Sequence, residues 1–367
     1  MATAQTYIDD LLALGYTFKY NEATDSLEVN GRQITDVLQA EIRARMRDKR
    51  HKQMTAIEDA YTAHAWANRF HPIRDYLNGL TWSGEPAIAN LAAHFTDRHD
   101  VFGLFLRRWM IGAVAKVLER GQNFMLVLES VQDLGKSRFV RWLCPPSLSA
   151  YFVEGPIDTQ DKDTWGRLAG RWIWETPELG ATTRRADREA LKDFISRQEV
   201  TLRKAYARND ITRPALASLI GTINEEGSGF LNDPTGSRRF AIASLTGIDY
   251  AYSALPVDDL WAEAYVAYQA GEPWQLTETE RAAQVAINEE YEVSVPLEGL
   301  LLKYYDIDLS ATGWASSTDI IQELEIYGLK DNQRASLMEL ARVMQRLGVE
   351  RQRIRRVYSY RGVTRKP

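Results

Sequence analysis

The sequence predicts a parallel α/β core set between a helical N-terminal region and a small C-terminal domain. Between Phe124 and about Leu245, short apolar runs alternate with amphipathic helices, the pattern of strands covered on both faces. Upstream, apolar residues recur at helical spacing through residues 55–120. Downstream, helix patterns precede a strand–turn–strand signal.

Bulk properties narrow the chemistry. A chain of 367 residues, 45% apolar with ten Trp, can build real cores. The single cysteine, Cys144, excludes a disulfide framework and Cys-based zinc or iron–sulfur sites. His51, His64, His71, His94 and His99 include no pair at HExxH spacing. No apolar run approaches the roughly 18–20 residues that span a bilayer. The first residues lack a basic stretch before their short apolar run, so no signal peptide is expected. A soluble protein of a reducing compartment is the expectation. Its net charge of −5 leaves any contact with an acidic polymer to local basic patches.

The first segment, 1–54, reads as a small α/β unit. A helix (IDDLLALGY) leads into a strand, turn and strand with Asn30–Gly31 as hairpin signal, and a charged helix follows with basic residues from Arg43 to Lys52. That run reads first as a solvated face and second as a nucleic-acid or partner surface. Residues 55–120 read as a helical lid or collar, with Trp66, Trp82 and Trp109 as buried anchors. Residues 121–295 form the α/β domain, with strands in FMLVLE, RWIWE, ASLIGTIN and RRFAIASL and a helix in REALKDFIS. From 296 to 367, three helix patterns and a hairpin give a winged-helix-like order, with Ser316 or Ser317 as the middle helix's N-cap. Its tail carries Arg351, Arg353, Arg355, Arg356, Arg361, Arg365 and Lys366 with no acid among them.

The richest signal is LVLESVQDLGKSRFVRWL. A phosphate loop runs strand, GxxxxGK[ST], helix, and cradles phosphates with backbone N–H groups at the helix N-terminus. Gly135, Lys136 and Ser137 supply its end, while Ser130 stands where the first glycine is expected. Lys136 would neutralise β/γ-phosphates and Ser137 would bind Mg²⁺. Downstream, an apolar strand ends in Glu175, with Glu178 three residues on. One carboxylate would complete the Mg²⁺ shell, and the other, with a marginal preference for Glu178, would polarise the attacking water. Asn224 ends the next apolar strand, where an amide can orient that water. Arg238 and Arg239 lie just before another strand, where a guanidinium can stabilise the transferring phosphoryl group. Surface acids and structural arginines are the bland alternatives. The fold class is therefore an α/β P-loop NTPase core with an N-terminal helical region and a C-terminal winged-helix-like domain, its ligands ATP and Mg²⁺.

The motifs DLGKS, WETPEL, LKDFISR, LRKAYAR, GTIN and FLNDPTGSRRF, in this order, resemble the virulence-associated E family of phage and genomic-island proteins. That family is similar to superfamily three helicases of the AAA+ class and to the helicase part of phage and poxvirus primase-helicases. The resemblance implies an ATPase assembled as a homo-oligomeric ring, a hexamer by expectation, that translocates on single-stranded DNA in a bacterial host's cytoplasm. It implies that Asn224 is a sensor amide and that Arg238 or Arg239 acts in trans as an arginine finger. Ser130 departs from the family's glycine. In EVTLRKAYARNDITR the resemblance implies a pore hairpin, with Arg203, Lys204, Tyr206 and Arg208 on DNA; alone, the residues read as a solvated edge hairpin. Lys192 would serve the nucleotide site or the sheet packing. Arg355, Arg356 and Arg361 would hold duplex or origin DNA, and single-stranded and forked DNA are the expected partners of the whole protein.

The leading expectation is an ATP-dependent DNA helicase of phage or mobile-element replication, partnered by a primase or other replication proteins, with no membrane. The alternative is a nucleotide-switched initiator or helicase loader that melts or marks an origin. A non-catalytic DNA-binding protein with a degenerate loop is the third.

Overall fold

The computed structural model describes all residues except 1, 180–184, 204–208, 225–236, 292–295, 328, 330–332, 355–356 and 367. Two compact units divide the chain, Met1–Glu292 and Val293–Pro367. The fold is mixed α/β, with several sheets and helices.

The first unit is built on a six-stranded sheet in the order Phe95–Asp97, Phe240–Ile248, Met125–Ser130, Ser218–Asn224, Ile173–Thr176 and Phe152–Glu154. All neighbours are parallel except the edge pair of Phe95–Asp97 with Phe240–Ile248. Every residue of Met125–Ser130 is buried, as its unbroken apolar run requires at the centre of a covered sheet. Parallel register sets Asn224 against Ser130, and Glu154 against Glu175. The carboxyl ends of four strands therefore share one edge, where ligands bind in open α/β sheets.

The helix Phe102–Glu119 is apolar almost all round and buried along most of its length in the sheet's core. Trp109, Trp172 and Trp261 are fully buried, and each indole N–H finds a carbonyl: Leu219 at 3.0 Å, Ala113 at 3.3 Å and Leu143 at 3.0 Å. Trp66 and Trp82 depart from the expectation of burial, being 53% and 37% exposed. Trp66 lies edge-on to Tyr20 and under the Arg69 guanidinium, while the Trp82 indole donates to the Glu85 carbonyl at 2.8 Å. Both rings serve a local polar partner rather than the core.

A smaller N-terminal core unites Tyr7, Leu11, Phe18, Ile42, Met46 and Tyr61. The helix Met54–Ala67 packs here, so the stretch read as one collar is shared between two cores. In this part Asn30 and Gly31, both at positive φ, close the two-residue turn between Ser26–Val29 and Arg32–Gln33.

The second unit runs helix Pro296–Tyr304, strand Tyr305–Ile307, strand Trp314–Ser316, helices Ser317–Ile326 and Gln333–Arg346, then strands Arg351–Ile354, Val357–Arg361 and Val363–Arg365. Leu301, Ile321, Leu324, Leu340, Met344 and Tyr360 fill its own core. Ser316 caps the middle helix, accepting from the Thr318 and Asp319 amides. The tail's arginines meet acids from elsewhere in this unit: Arg361 pairs with Glu350, Arg365 with Glu323 and Lys366 with Asp306. An acid-free tail in sequence is thus partly neutralised through space. Among the described residues, no helix is long and apolar enough to cross a membrane.

Candidate active site

The central strand Met125–Ser130 leads through a short loop into the helix Lys136–Leu143. Gly135 is the helix N-cap at φ +99°, a conformation that favours glycine, and Asp133 in the same loop has φ +62°. The turn folds the Lys136 side chain back beneath the loop. Its Nζ donates to Ser130 Oγ at 2.7 Å, to the Ser130 and Val131 carbonyls at 3.1 Å and to Asn224 Oδ1 at 3.3 Å. The ammonium is buried beside the free N-terminus of a helix, where anions are favoured. Ser130, the departure from glycine, uses its hydroxyl to hold that ammonium. Ser137 follows on the first turn and is exposed.

Glu175 lies near the end of the strand Ile173–Thr176. It is 0% exposed, and among the described residues neither carboxyl oxygen has a hydrogen-bond partner. Burial is the largest influence on it and raises its pKa; the nearby Ser137 hydroxyl opposes this, the Glu154 carboxylate adds to it and Arg141 opposes it. A buried carboxyl with two unmet acceptors is costly unless a cation or donor arrives. The residues fit Mg²⁺: one carboxylate and one hydroxyl, with phosphate oxygens and water for the remainder, is how this ion is commonly held. No cluster of three His, Cys, Asp or Glu suited to a metal stands among the described residues, and that arrangement needs none. Glu178 lies just past the strand end, exposed and at φ +48°. For a side chain other than glycine this is a strained position of the kind that clusters at functional sites.

Asn224 ends its strand beside Ser130 and is half-buried, with its amide oxygen on Lys136. The two arginines diverge. Arg239 donates from Nε to Ser196 Oγ at 2.6 Å, so it is tied to the helix Arg185–Ser196 of its own chain. Arg238 is exposed. Lys192, on that same helix, is buried.

The antiparallel strands Glu199–Leu202 and Ile211–Pro214 form a two-stranded hairpin of their own. Arg213 anchors its base through the carbonyls of Glu22, Ala23 and Ala169. Arg203, just after the strand Glu199–Leu202, is exposed and lies 3.9 Å from Asp210. Lys204, Tyr206 and Arg208, and in the tail Arg355 and Arg356, lie outside the described residues. Arg361 is engaged locally: Nη1 meets Glu350 at 3.0 Å and Nε donates to the Ala311 carbonyl at 3.1 Å.

Two groups near the loop carry no signal in the sequence. Glu129, buried just before Ser130, accepts from the Tyr291 hydroxyl at 3.0 Å. Tyr291, which also shares a 2.5 Å hydrogen bond with Ser244, joins the end of the helix Glu278–Glu290 to two sheet strands. An acid in an apolar strand and a tyrosine 162 residues later have no spacing that links them.

Comparison with known proteins bears on this arrangement. No curated protein sequence matches the chain. Among solved structures it is similar to the apo structure of the NrS-1 C-terminal region, residues 305–718, with 13% identity over 99% of this chain and 100% of that one and a TM-score of 0.52. The A form of the same apo region is similar at 12% identity over 98% and 100%, with a TM-score of 0.50. At such identities the likeness is one of fold. Residues 77–293, the stretch that holds the whole six-stranded sheet and every side chain of its carboxyl edge, match the family model described as the virulence-associated protein E-like domain, and the chain belongs to that family.

Proposed function

We propose that this protein is an ATP-hydrolysing motor acting on DNA in the replication of phage or mobile elements. The observation that carries the reading is the corner itself. A buried ammonium from Lys136 and a buried, unpartnered carboxyl from Glu175 lie at one edge of the sheet, beside the N-terminus of a helix. The buried carboxyl is costly alone, and a magnesium triphosphate would satisfy it while giving the nearby ammonium an anionic partner.

In this reading the amides of the loop and first turn hold the phosphates, and Lys136 moves from its resting acceptors to the β/γ-oxygens. Ser137 and Glu175 would hold Mg²⁺, which when bound would neutralise charge on those oxygens. Glu178, exposed to solvent, takes the proton of the attacking water, and the Asn224 amide orients that water. Arg238 stabilises the developing charge at the site of a neighbouring subunit, which requires a homo-oligomeric ring. Arg239, held by Ser196, ties its short turn to the helix Arg185–Ser196. The hairpin at 199–214 then carries Arg203, Lys204, Tyr206 and Arg208 to single-stranded DNA, with phosphate contact and base stacking combined.

In the C-terminal unit the helix–strand–strand–helix–helix–strand–strand–strand order, with the last two helices followed by antiparallel strands, supports a winged-helix-like reading. Arg351 and Arg353 flank the exposed Tyr358 ring at 4.5 and 5.8 Å. This basic and aromatic face is a better duplex contact than Arg361.

Phosphate release measured with and without single-stranded DNA, and strand separation on a forked duplex, test the proposal. Wild-type protein should show DNA-stimulated turnover and unwind long duplexes, and Lys136→Ala should do neither. Arrest after local melting would assign the initiator or loader role, and equal activity in Lys136→Ala would overturn the reading.

A further inference from the structure

Beside the phosphate loop stands an aromatic side chain that the mechanism above leaves unused. Tyr250 follows the strand Phe240–Ile248 and is 41% exposed. It is held from the loop side, where its hydroxyl donates to the Leu134 carbonyl at 3.1 Å. A Cβ on Gly135 would come within 2.6 Å of that hydroxyl, so the ring leans directly on the loop. The Arg138 guanidinium lies over the ring, 4.9 Å from its centroid. Arg138 is also exposed, and it comes next after Ser137 on the first helical turn.

The backbone beneath the ring is fixed at several points. The Asp249 amide donates to the His94 carbonyl at 2.7 Å, and its carboxylate meets His94 Nδ1 at 2.8 Å and the Ala251 amide at 3.0 Å. Ser253 Oγ donates to the Tyr250 carbonyl at 2.9 Å. An exposed aromatic ring paired with a guanidinium and pinned by its backbone is a preorganised stacking surface.

We propose that Tyr250 and Arg138 form the nucleobase-binding face of this site. The inference rests on the phosphate-loop reading: a triphosphate held at Lys136 and Ser137 sends its nucleoside out past the first helical turn, where these two side chains stand. Stacking requires a π-face on the ligand, so the ligand class is a nucleoside triphosphate rather than a bare polyphosphate.

Titration calorimetry with Mg²⁺ and the β,γ-imido analogue of ATP, run beside inorganic tripolyphosphate, tests this. Tyr250→Ala should weaken the analogue about tenfold and leave tripolyphosphate unchanged, as the loss of one base–aromatic stack predicts. Tyr250→Phe, which keeps the ring but loses the bond to Leu134, should stay within about twofold of wild type for the analogue. Equal weakening of both ligands by Tyr250→Ala would make the ring a brace for the loop and overturn the proposal, as would no change in either. Lys136→Ala should lose both ligands. If it keeps both, the phosphate-loop reading fails and the nucleobase face fails with it; if only the tyrosine result fails, the loop reading stands.

Discussion

The corner at the sheet's carboxyl edge and the tail of the C-terminal unit handle charge in opposite ways. In the tail, Arg361, Arg365 and Lys366 each meet a carboxylate at or near the surface, where such pairs contribute roughly 0–1 kcal/mol. At the corner, the buried Lys136 donates to oxygens of Ser130, Val131 and Asn224, and Glu175 is buried with both oxygens unmet among the described residues. A fold built for stability alone would pair or remove a carboxyl such as Glu175. The tail's charges serve the fold as they stand, whereas the Glu175 carboxyl is a cost to it. A raw count of basic residues would have ranked these regions the other way.

The largest expected effect is at the corner. Lys136→Ala should lower ATP turnover by at least about a hundredfold, the scale of losing one charge stabiliser at a phosphoryl group, with melting of the apo protein as the folding control. Glu175→Gln sharpens the contrast because two readouts move in opposite directions. Turnover should fall while the apo protein gains about 1–3 kcal/mol at neutral pH. The sign follows from burial. A carboxyl whose folded pKa lies above its unfolded value contributes fully below the unfolded pKa and loses that contribution as pH rises through the folded one. A neutral amide removes that loss. Chemical denaturation at pH 4 and pH 7 measures it, and the gain should be larger at pH 7.

Next come the two arginines. Arg238→Ala should abolish turnover in the assembled protein and restore it partly when mixed with a subunit that lacks Lys136 but keeps Arg238. Arg239→Ala should instead cost about 1 kcal/mol of stability through its bond to Ser196. The reverse pattern would exchange their roles.

How much of this was legible beforehand follows from the range of each signal. The central strand, the loop and the acids at strand ends could be read because each is a local pattern, an apolar run followed by a turn with fixed chemistry. The edge strands Phe95–Asp97 and Phe152–Glu154 were not, since three residues hold no periodicity and their pairing comes from the sheet. Trp66 and Trp82 looked like anchors by composition, but an indole with a polar handle also serves at a surface. The difference between Arg238 and Arg239 lies in a hydroxyl 43 residues away, and the acids that neutralise the tail come from other elements of its unit. Contacts of that kind leave no spacing to read.

Smaller effects test the tail. Arg351→Ala and Arg353→Ala should each flatten the salt dependence of duplex binding by about one counterion. Arg361→Ala, already engaged with Glu350 and Ala311, should leave that slope unchanged. The smallest concerns His71, whose imidazole caps the helix Pro72–Gly79 and whose burial holds its pKa down to about 4. Its contribution is present above the unfolded value near 6.5 and lost as pH falls toward about 4. His71→Asn should keep the cap and remove that acid sensitivity, as melting curves between pH 7 and pH 4 would show.

Thermal melting with magnesium and ATP tests the corner's charge account most directly, because a ligand that binds only the folded chain raises its stability, by about 2.7 kcal/mol at a hundredfold excess over Kd. Wild-type protein should gain on that scale with both present, lose most of the gain when magnesium is removed, and show none in Lys136→Ala. A wild-type melting temperature indifferent to magnesium ATP, or an equal rise in Lys136→Ala, would mean that the ammonium and the carboxyl are not waiting for a triphosphate.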